Sequence, residues 1–278
     1  VSSVLALIAR DEQETLPRCL DSAAPLVDRI LVIDTGSRDE TIRVAREHGA
    51  EVLERPWRNF EHNRSELLAE ASQRCERILM LDADMRIDEG GELPADEADC
   101  YMARLAYKGL RYRLPFLIRS SRPWRYRGAA HSYLDCPEPA TRVNTDTFTV
   151  THFGPGATRE KLERDLELLQ GDAQPRSIFY LAQTYRDLGM VDEAIRHYRA
   201  RAALGGWDEE VFYSLYQAGC LLCKHRSFAS GAPLLLEAWK MRPSRAEPLR
   251  ALSAASSGVA DKIPYPDDTL FVHDGAYR

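Results

Sequence analysis

A chain of 278 residues with 44% hydrophobic and 29% charged side chains carries enough apolar material for one large domain or two ordinary ones, which excludes a disordered chain. Its formal net charge of -6 leaves no overall positive field to hold phosphate backbones, so nucleic acid is not an expected partner, although basic residues gather locally between Arg111 and Arg127. No stretch approaches the ~20 apolar residues of a membrane span, Val1–Ala9 is too short and lacks the basic start of a secretory leader, and the six scattered cysteines read as reduced thiols, so a cytoplasmic protein is expected.

Val4–Ile8 is a continuous apolar run, the pattern of a strand buried on both faces. A helix follows it, with Thr15 as a cap, Pro17 in the first turn, and Leu16, Cys19, Leu20 and Ala23 on one face. Arg29–Ile33 is a second strand of the same kind. It ends in the polar loop Asp34-Thr-Gly-Ser-Arg-Asp39, which can cap a helix beginning near Glu40. Glu51–Leu53 reads as a short third strand, residues 60–74 as a helix, and Arg77–Leu81 as a fourth strand ending in Asp82-Ala83-Asp84. Such alternation predicts a mostly parallel sheet with right-handed crossovers. Ligands of such sheets bind beyond the carboxyl ends of the strands. The acidic loops carrying Asp11 and Glu12, Asp34 and Asp39, and Asp82 and Asp84 should therefore face one crevice. Residues 99–152 are more β-rich, with runs at Cys100–Leu105, Arg113–Ile118 and Thr147–His152 that should extend the sheet and form the acceptor side.

From Ala157 the pattern turns helical. Residues 175–208 fit a 34-residue tetratricopeptide register, with Leu181, Ala182, Tyr185, Ala194 and Tyr198 at the packing positions. A second unit fits Phe212–Arg245, with Gly219, Gly231 and Ala238 at the small positions, Pro243 after the second helix, and the extra residues placed in the loop around Leu204–Gly206. A third unit starts near Ala246 with Leu252 in register. The expected division is thus a catalytic domain over residues 1–156, helical repeats over 157–262 and an extended tail over 263–278. Cys220, Cys223 and His225 lie close together, but with no second cysteine pair they read as small packing residues on a helix.

Asp82-Ala83-Asp84 is the sharpest chemical signal. Two carboxylates one residue apart at a strand end can hold a hard divalent cation, Mn2+ or Mg2+. Such a cation neutralises a diphosphate leaving group. With this signal in place, the chain resembles the family 2 glycosyltransferases of the GT-A fold that carry C-terminal tetratricopeptide repeats. The resemblance rests on Ile8-Ala-Arg-Asp-Glu12, Arg18-Cys-Leu-Asp-Ser22, Ile33-Asp-Thr-Gly-Ser-Arg-Asp39 with Thr41, Asn63-Arg64, Leu81-Asp-Ala-Asp84, Trp124-Arg-Tyr-Arg-Gly128 with His131, and Thr151-His-Phe-Gly154. It covers nearly the whole chain.

The resemblance implies transfer of a sugar, with inversion, from a nucleoside-diphosphate sugar (a UDP-sugar being favoured) to a glycan, small molecule or peptide. It implies that Asp34 and its loop hold the nucleoside, that Ala9 and Glu12 flank the base, that Ala83 sits against the donor between its two carboxylates, and that Arg64 approaches the diphosphate. His152 would be a third metal ligand beside Asp82 and Asp84. Family members often carry His-Glu where this chain has His131-Ser132. An inverting transfer needs a base, for which His131 and Asp135 are the candidates. The repeats would hold the acceptor or join subunits into a homo-oligomer. A different class stays open: a tetratricopeptide scaffold protein whose α/β domain is catalytically degenerate, a reading that metal-dependent donor binding would exclude. A nucleotidyltransferase is disfavoured because no glycine-rich loop follows the first strand. A membrane-bound processive synthase would need spans and a Gln-x-x-Arg-Trp motif, which the chain lacks.

Overall fold

The computed structural model describes residues 2–88, 90–154, 156 and 158–256; the expected tail lies outside the described residues. The chain forms two compact units that divide between Ala157 and Thr158.

The first unit is built on an eight-stranded sheet. Its elements run β1 (Ser3–Ala9), α1 (Leu16–Ala23), β2 (Arg29–Asp34), α2 (Thr41–Glu47), β3 (Glu51–Glu54), α3 (Phe60–Ser72), β4 (Arg77–Met80), β5 (Met85–Ile87), β6 (Cys100–Tyr107), β7 (Leu110–Arg119), β8 (Arg125–Arg127), β9 (Tyr133–Asp135) and β10 (Arg142–His152). The sheet order is β3-β2-β1-β4-β7-β6-β10-β5, and β8 and β9 make a separate ribbon.

The apolar runs explain the layers. Along β1, Leu5 and Leu7 join one core with Leu16, Cys19, Leu20 and Ala23 of α1, the face expected of that helix. Val4 and Ala6, one residue out of phase, join a second core with Leu67, Leu68 and Ala71 of α3. The side-chain period of two thus buries both faces of the same strand. Each fully buried Leu or Ile contributes about 1.5–3 kcal/mol, which stabilises even the four-residue β4, where Ile78 and Leu79 are buried.

Pairing is parallel among β3, β2, β1 and β4, as the sequence implies. Beyond β4 the sheet becomes mixed: β7 is antiparallel to β4 and to β6, β10 is parallel to β6, and β5 is antiparallel to β10. Two antiparallel steps restore direction, so β6 and β10 point the same way as β1, β2 and β4. Ala9, Asp34, Met80, Tyr107 and His152 therefore all end at one edge of the sheet. The order also reverses at β1, with β2 on one side and β4 on the other. This is a topological switch point, where open α/β sheets place their ligand crevice. The segment from Asp82 to Asp84 runs along that edge, joining β4 to β5 at the far end of a curled sheet.

The second unit is all α: α4 (Arg159–Leu169), α5 (Pro175–Asp187), α6 (Val191–Ala203), α7 (Asp208–His225), α8 (Phe228–Met241) and α9 (Glu247–Ser256). Consecutive helices pack on one another. Leu181, Ala182, Tyr185, Ala194 and Tyr198 are all buried, in line with the repeat register. The glycines are needed where α7 meets α8: a Cβ on Gly231 would lie 2.4 Å from the Gly219 carbonyl oxygen and 2.4 Å from Cys223 Sγ. One expectation needs correcting. The extra residues do not sit in the loop at Leu204–Gly206 but lengthen α7, which has 18 residues against 13 in α5. Asp208, Glu209 and Glu210 in its first turn favour this early start, because carboxylates stabilise a helix amino end. All six cysteines are free, and Cys19, Cys75 and Cys100 are buried. Among the described residues, no helix is long and apolar enough to cross a membrane.

Candidate active site

The loops after β1 and β2 are tied together reciprocally. Ser37 Oγ accepts from the Asp11 amide at 3.0 Å, and Asp11 Oδ1 accepts from the Arg38 amide at 2.7 Å. Thr41 Oγ1 accepts from the Glu12 amide at 2.7 Å, Asp39 Oδ2 from the Gln13 amide at 3.1 Å, and Gln13 Oε1 from the Glu40 amide at 3.0 Å. Asp39 Oδ1 also accepts from the Thr41 amide at 3.0 Å, serving the amino end of α2 as the loop composition suggests. Asp11 holds a left-handed backbone with φ 55°. Backbone of this kind costs roughly 1–3 kcal/mol and persists where surrounding contacts over-determine it.

Asp34 is 2% exposed. Its Oδ1 accepts from the amides of Gly36 at 2.9 Å and Ser37 at 3.0 Å, and its Oδ2 from the Ser37 hydroxyl. In this state the carboxylate braces its own loop. Ala9 and Ala83 are 3% and 4% exposed, with their methyl groups in the core, so neither side chain reaches the crevice. Any contact from these two residues to a donor would be made by backbone, and the Ala9 carbonyl already accepts from the Thr35 amide at 2.9 Å. Glu12 takes a hydrogen bond from the Thr15 hydroxyl. Burial pushes its carboxyl group upward in pKa; Thr15 opposes this, while the charges of Asp84, Asp82 and Asp39 add to it.

Asp84 and His152 come together at 2.9 Å between Oδ2 and Nε2, although 68 residues separate them in sequence. The Phe153 amide donates to the Asp84 carbonyl at 2.9 Å and fixes this register. Gly154 leaves the space open: a Cβ there would lie 2.4 Å from Asp84 Oδ2 and 2.6 Å from His152 Nε2. Asp82 faces another way. Its Oδ1 accepts from Arg64 Nη2 at 2.5 Å, and Arg64 Nη1 donates to Ser132 Oγ at 3.0 Å. Arg64 is aimed by α3, where the fully buried Asn63 accepts from the Arg58 amide at 2.9 Å and donates to the Pro56 carbonyl at 3.0 Å. The guanidinium also lies 5.3 Å from the ring centroids of both Phe60 and Tyr126.

The structure thus joins two of the three expected metal ligands. Among the described residues, no three His, Cys, Asp or Glu side chains stand close enough together to hold an ion as they are. The difference has a physical cause, since Arg64 neutralises Asp82 within the partly buried crevice. The donor set still fits a hard divalent cation. It offers two carboxylates and an imidazole at one strand edge, over a glycine whose side chain would fill the cradle.

His131 lies between β8 and β9 with a left-handed φ of 49°, next to the Ser132 that Arg64 contacts. Asp135 is bound by Arg127 Nε at 2.9 Å and Arg125 Nε at 3.5 Å. The bond from Arg127, with Arg125 adding to it, holds its carboxyl group below the usual range. A carboxylate so stabilised is a weak proton acceptor, which sets Asp135 behind His131 as a base. Trp124 is 8% exposed and donates to the Arg119 carbonyl at 3.0 Å, so it packs the core and cannot stack on a sugar. Tyr107, which no motif singles out, stands beside His152 with its ring stacked on the imidazole at 4.6 Å, and Lys108 Nζ lies 5.3 Å from the centroid of that ring. Their signal was the Lys108-Gly109 pair between two alternating runs, a hairpin turn.

A switch-point crevice edged by acidic strand ends is the place where an α/β sheet of this kind takes a ligand. Residues 5–95 match the model of the family described as Glycosyl transferase family 2. Among similar proteins is a TPR repeat-containing protein of Synechococcus elongatus, 32% identical over 200 residues that cover 60% of this chain and 48% of the relative. Another, from Rickettsia typhi, bears the name uncharacterized glycosyltransferase and is 26% identical, over 47% of this chain and 41% of its own. The chain therefore spans about half the length of the curated relatives it matches. A solved structure of glucosyl-3-phosphoglycerate synthase from Mycobacterium tuberculosis, with Mn2+, UDP and glucosyl-3-phosphoglycerate, aligns over 39% of this chain and 44% of that one, at 21% identity and a TM-score of 0.31.

Proposed function

We propose that the protein transfers a sugar from a nucleoside-diphosphate sugar to an acceptor nucleophile, with inversion, at the crevice between the loops after β1, β2 and β4. The observation that carries this reading is the meeting of Asp84 and His152 over the bare Gly154, with Asp82 on the same strand end. Asp82, Asp84 and His152 would hold Mn2+ or Mg2+. Bound there, the cation would supply charge stabilisation for the departing diphosphate. The tied loops carrying Glu12 and Asp34 would seat the nucleoside, with uracil the favoured base. Arg64 would leave Asp82 for a diphosphate oxygen, a short move for a guanidinium already at the crevice. His131 would accept the acceptor's proton. The helical repeats would hold the acceptor or join subunits.

A thermal-shift panel of UDP, GDP, ADP and their glucose conjugates, with and without Mn2+, tests the reading on the intact chain. At least one nucleoside diphosphate should raise the melting temperature, and do so more strongly with Mn2+. If none does in either condition, the protein is not a nucleotide-sugar transferase and the scaffold reading gains.

A smaller test addresses the cradle alone. Gly154→Ala puts a methyl group between Asp84 and His152, so it should weaken Mn2+ binding by roughly 10- to 100-fold, the range found when groups supporting a metal site are disturbed. Electron paramagnetic resonance of free Mn2+ measures this without any substrate. Unchanged affinity would mean that the two side chains do not share an ion.

A further inference from the structure

We infer that Lys108, at the tip of the β6–β7 hairpin, binds the diphosphate of the donor, and that Tyr107 beside it positions His152; both roles rest on the nucleotide-sugar reading above. Tyr107 pairs with Leu110, so Lys108 and Gly109 are the two residues of the turn. Their φ values are 47° and 84°. Positive φ at both central positions matches the twist of the flanking strands. It is costless for Gly109 but not for a lysine, where Asn or Asp would be more at ease. Backbone held against preference in this way clusters where a side chain is wanted for function.

The hairpin tip is also next to the candidate site. The Tyr107 ring lies over the His152 imidazole at 4.6 Å between centroids, with the planes 27° apart. Lys108 Nζ is 5.3 Å from the centroid of the Tyr107 ring. A Cβ on Gly156 would lie 2.9 Å from Lys108 Nζ and 3.1 Å from the Tyr107 hydroxyl. Gly154, two residues earlier, is similarly crowded by Asp84 and His152. Two glycines on the exit from β10 thus pass over a carboxylate, an imidazole, a phenol and an ammonium set side by side.

The charge balance says what this group is for. Glu12 feels the negative charges of Asp84, Asp82 and Asp39, and a set of carboxylates of this kind repels a diphosphate. A divalent cation would cancel two of those charges and Arg64 one, leaving the incoming diphosphate short of positive charge. An exposed ammonium on a flexible stem suits this task, because it can follow the phosphate oxygens as the glycosidic bond breaks.

Calorimetric titration of the full chain tests the assignment, with inorganic pyrophosphate, UDP and GDP as probes in saturating Mn2+, and Mn2+ alone as a separate titration. Lys108→Asn, which tolerates the left-handed turn, should weaken pyrophosphate and nucleoside-diphosphate binding by roughly 10-fold or more, the worth of a charge-assisted hydrogen bond. Mn2+ binding alone should stay unchanged in this variant. Lys108→Arg should recover most of the loss. Arg111→Gln removes an exposed charge from the same hairpin and should shift affinity by about 2-fold or less, as a screened surface charge does. Tyr107→Phe should bind Mn2+ normally and Tyr107→Ala more weakly, because only the second loses the stacking that orients His152. Wild-type affinity for pyrophosphate in Lys108→Asn, or an equal loss in Arg111→Gln, overturns the role of Lys108; normal Mn2+ binding by Tyr107→Ala overturns that of Tyr107. If the unaltered chain in Mn2+ binds neither pyrophosphate nor either nucleotide, the nucleotide-sugar reading itself falls and takes this inference with it.

Discussion

Asp84→Asn should lower donor turnover about a hundredfold or more while leaving the first unit folded. The rate estimate follows from losing several kcal/mol of metal-assisted stabilisation, each 1.36 kcal/mol being about tenfold. The fold should survive because the amide is nearly isosteric and can still bond His152. Asp82→Asn should cost a similar factor in rate but more in stability. It removes the charge that faces Arg64, whose side chain is only 19% exposed. The two variants can therefore be told apart: both lose Mn2+ affinity, and only Asp82→Asn should move the melting temperature of the metal-free chain appreciably. Slow hydrolysis of a nucleotide sugar serves as the assay before an acceptor is known. Full metal-dependent turnover in either variant would remove that carboxylate from the site.

What the sequence discloses and what it hides divide along one physical line. The buried strands β1, β2 and β4 are written as unbroken apolar runs, and the inner face of α1 as Leu16, Cys19, Leu20 and Ala23, because local periodicity reports burial directly. The placement of His152 beside Asp84 follows from the antiparallel pairing of β10 with β5, where His152 pairs with Met85 from far along the chain. The three-residue strands β5, β8 and β9 carry too few positions to show a period. Arg64, which the resemblance sets near the diphosphate, lies on Asp82 in this structure, since an arginine near a carboxylate gives the same residue types in either arrangement. Asp135, the second of two candidate bases, is held by two arginines that alternate with Tyr126 on the neighbouring strand. Which cation a carboxylate meets depends on cross-strand register, which the sequence does not print.

In the second unit, Arg201→Met should destabilise the helical repeats by about 3 kcal/mol, the lower end of the cost of stripping one partner from a buried ion pair. Arg201 is 1% exposed and sits in the last turn of α6. Its Nε donates to Glu210 Oε2 at 2.9 Å, and its Nη1 donates to the Gly205 carbonyl at 2.7 Å. One side chain thus closes the turn between α6 and α7 and neutralises Glu210, which is 4% exposed in the first turn of α7. Methionine restores most of the volume but leaves Glu210 buried with Arg176 at 3.3 Å as its remaining cation. That second arginine is why the lower end of the range applies. The double variant Arg201→Met with Glu210→Gln should recover much of the loss, because no buried charge is then left facing a missing partner. Calorimetric melting of the full chain reads the stability, and amide exchange in α6 and α7 localises it. A single variant as stable as the parent would mean that the pair's desolvation cancels its attraction and that apolar packing along α6 and α7 holds the turn by itself.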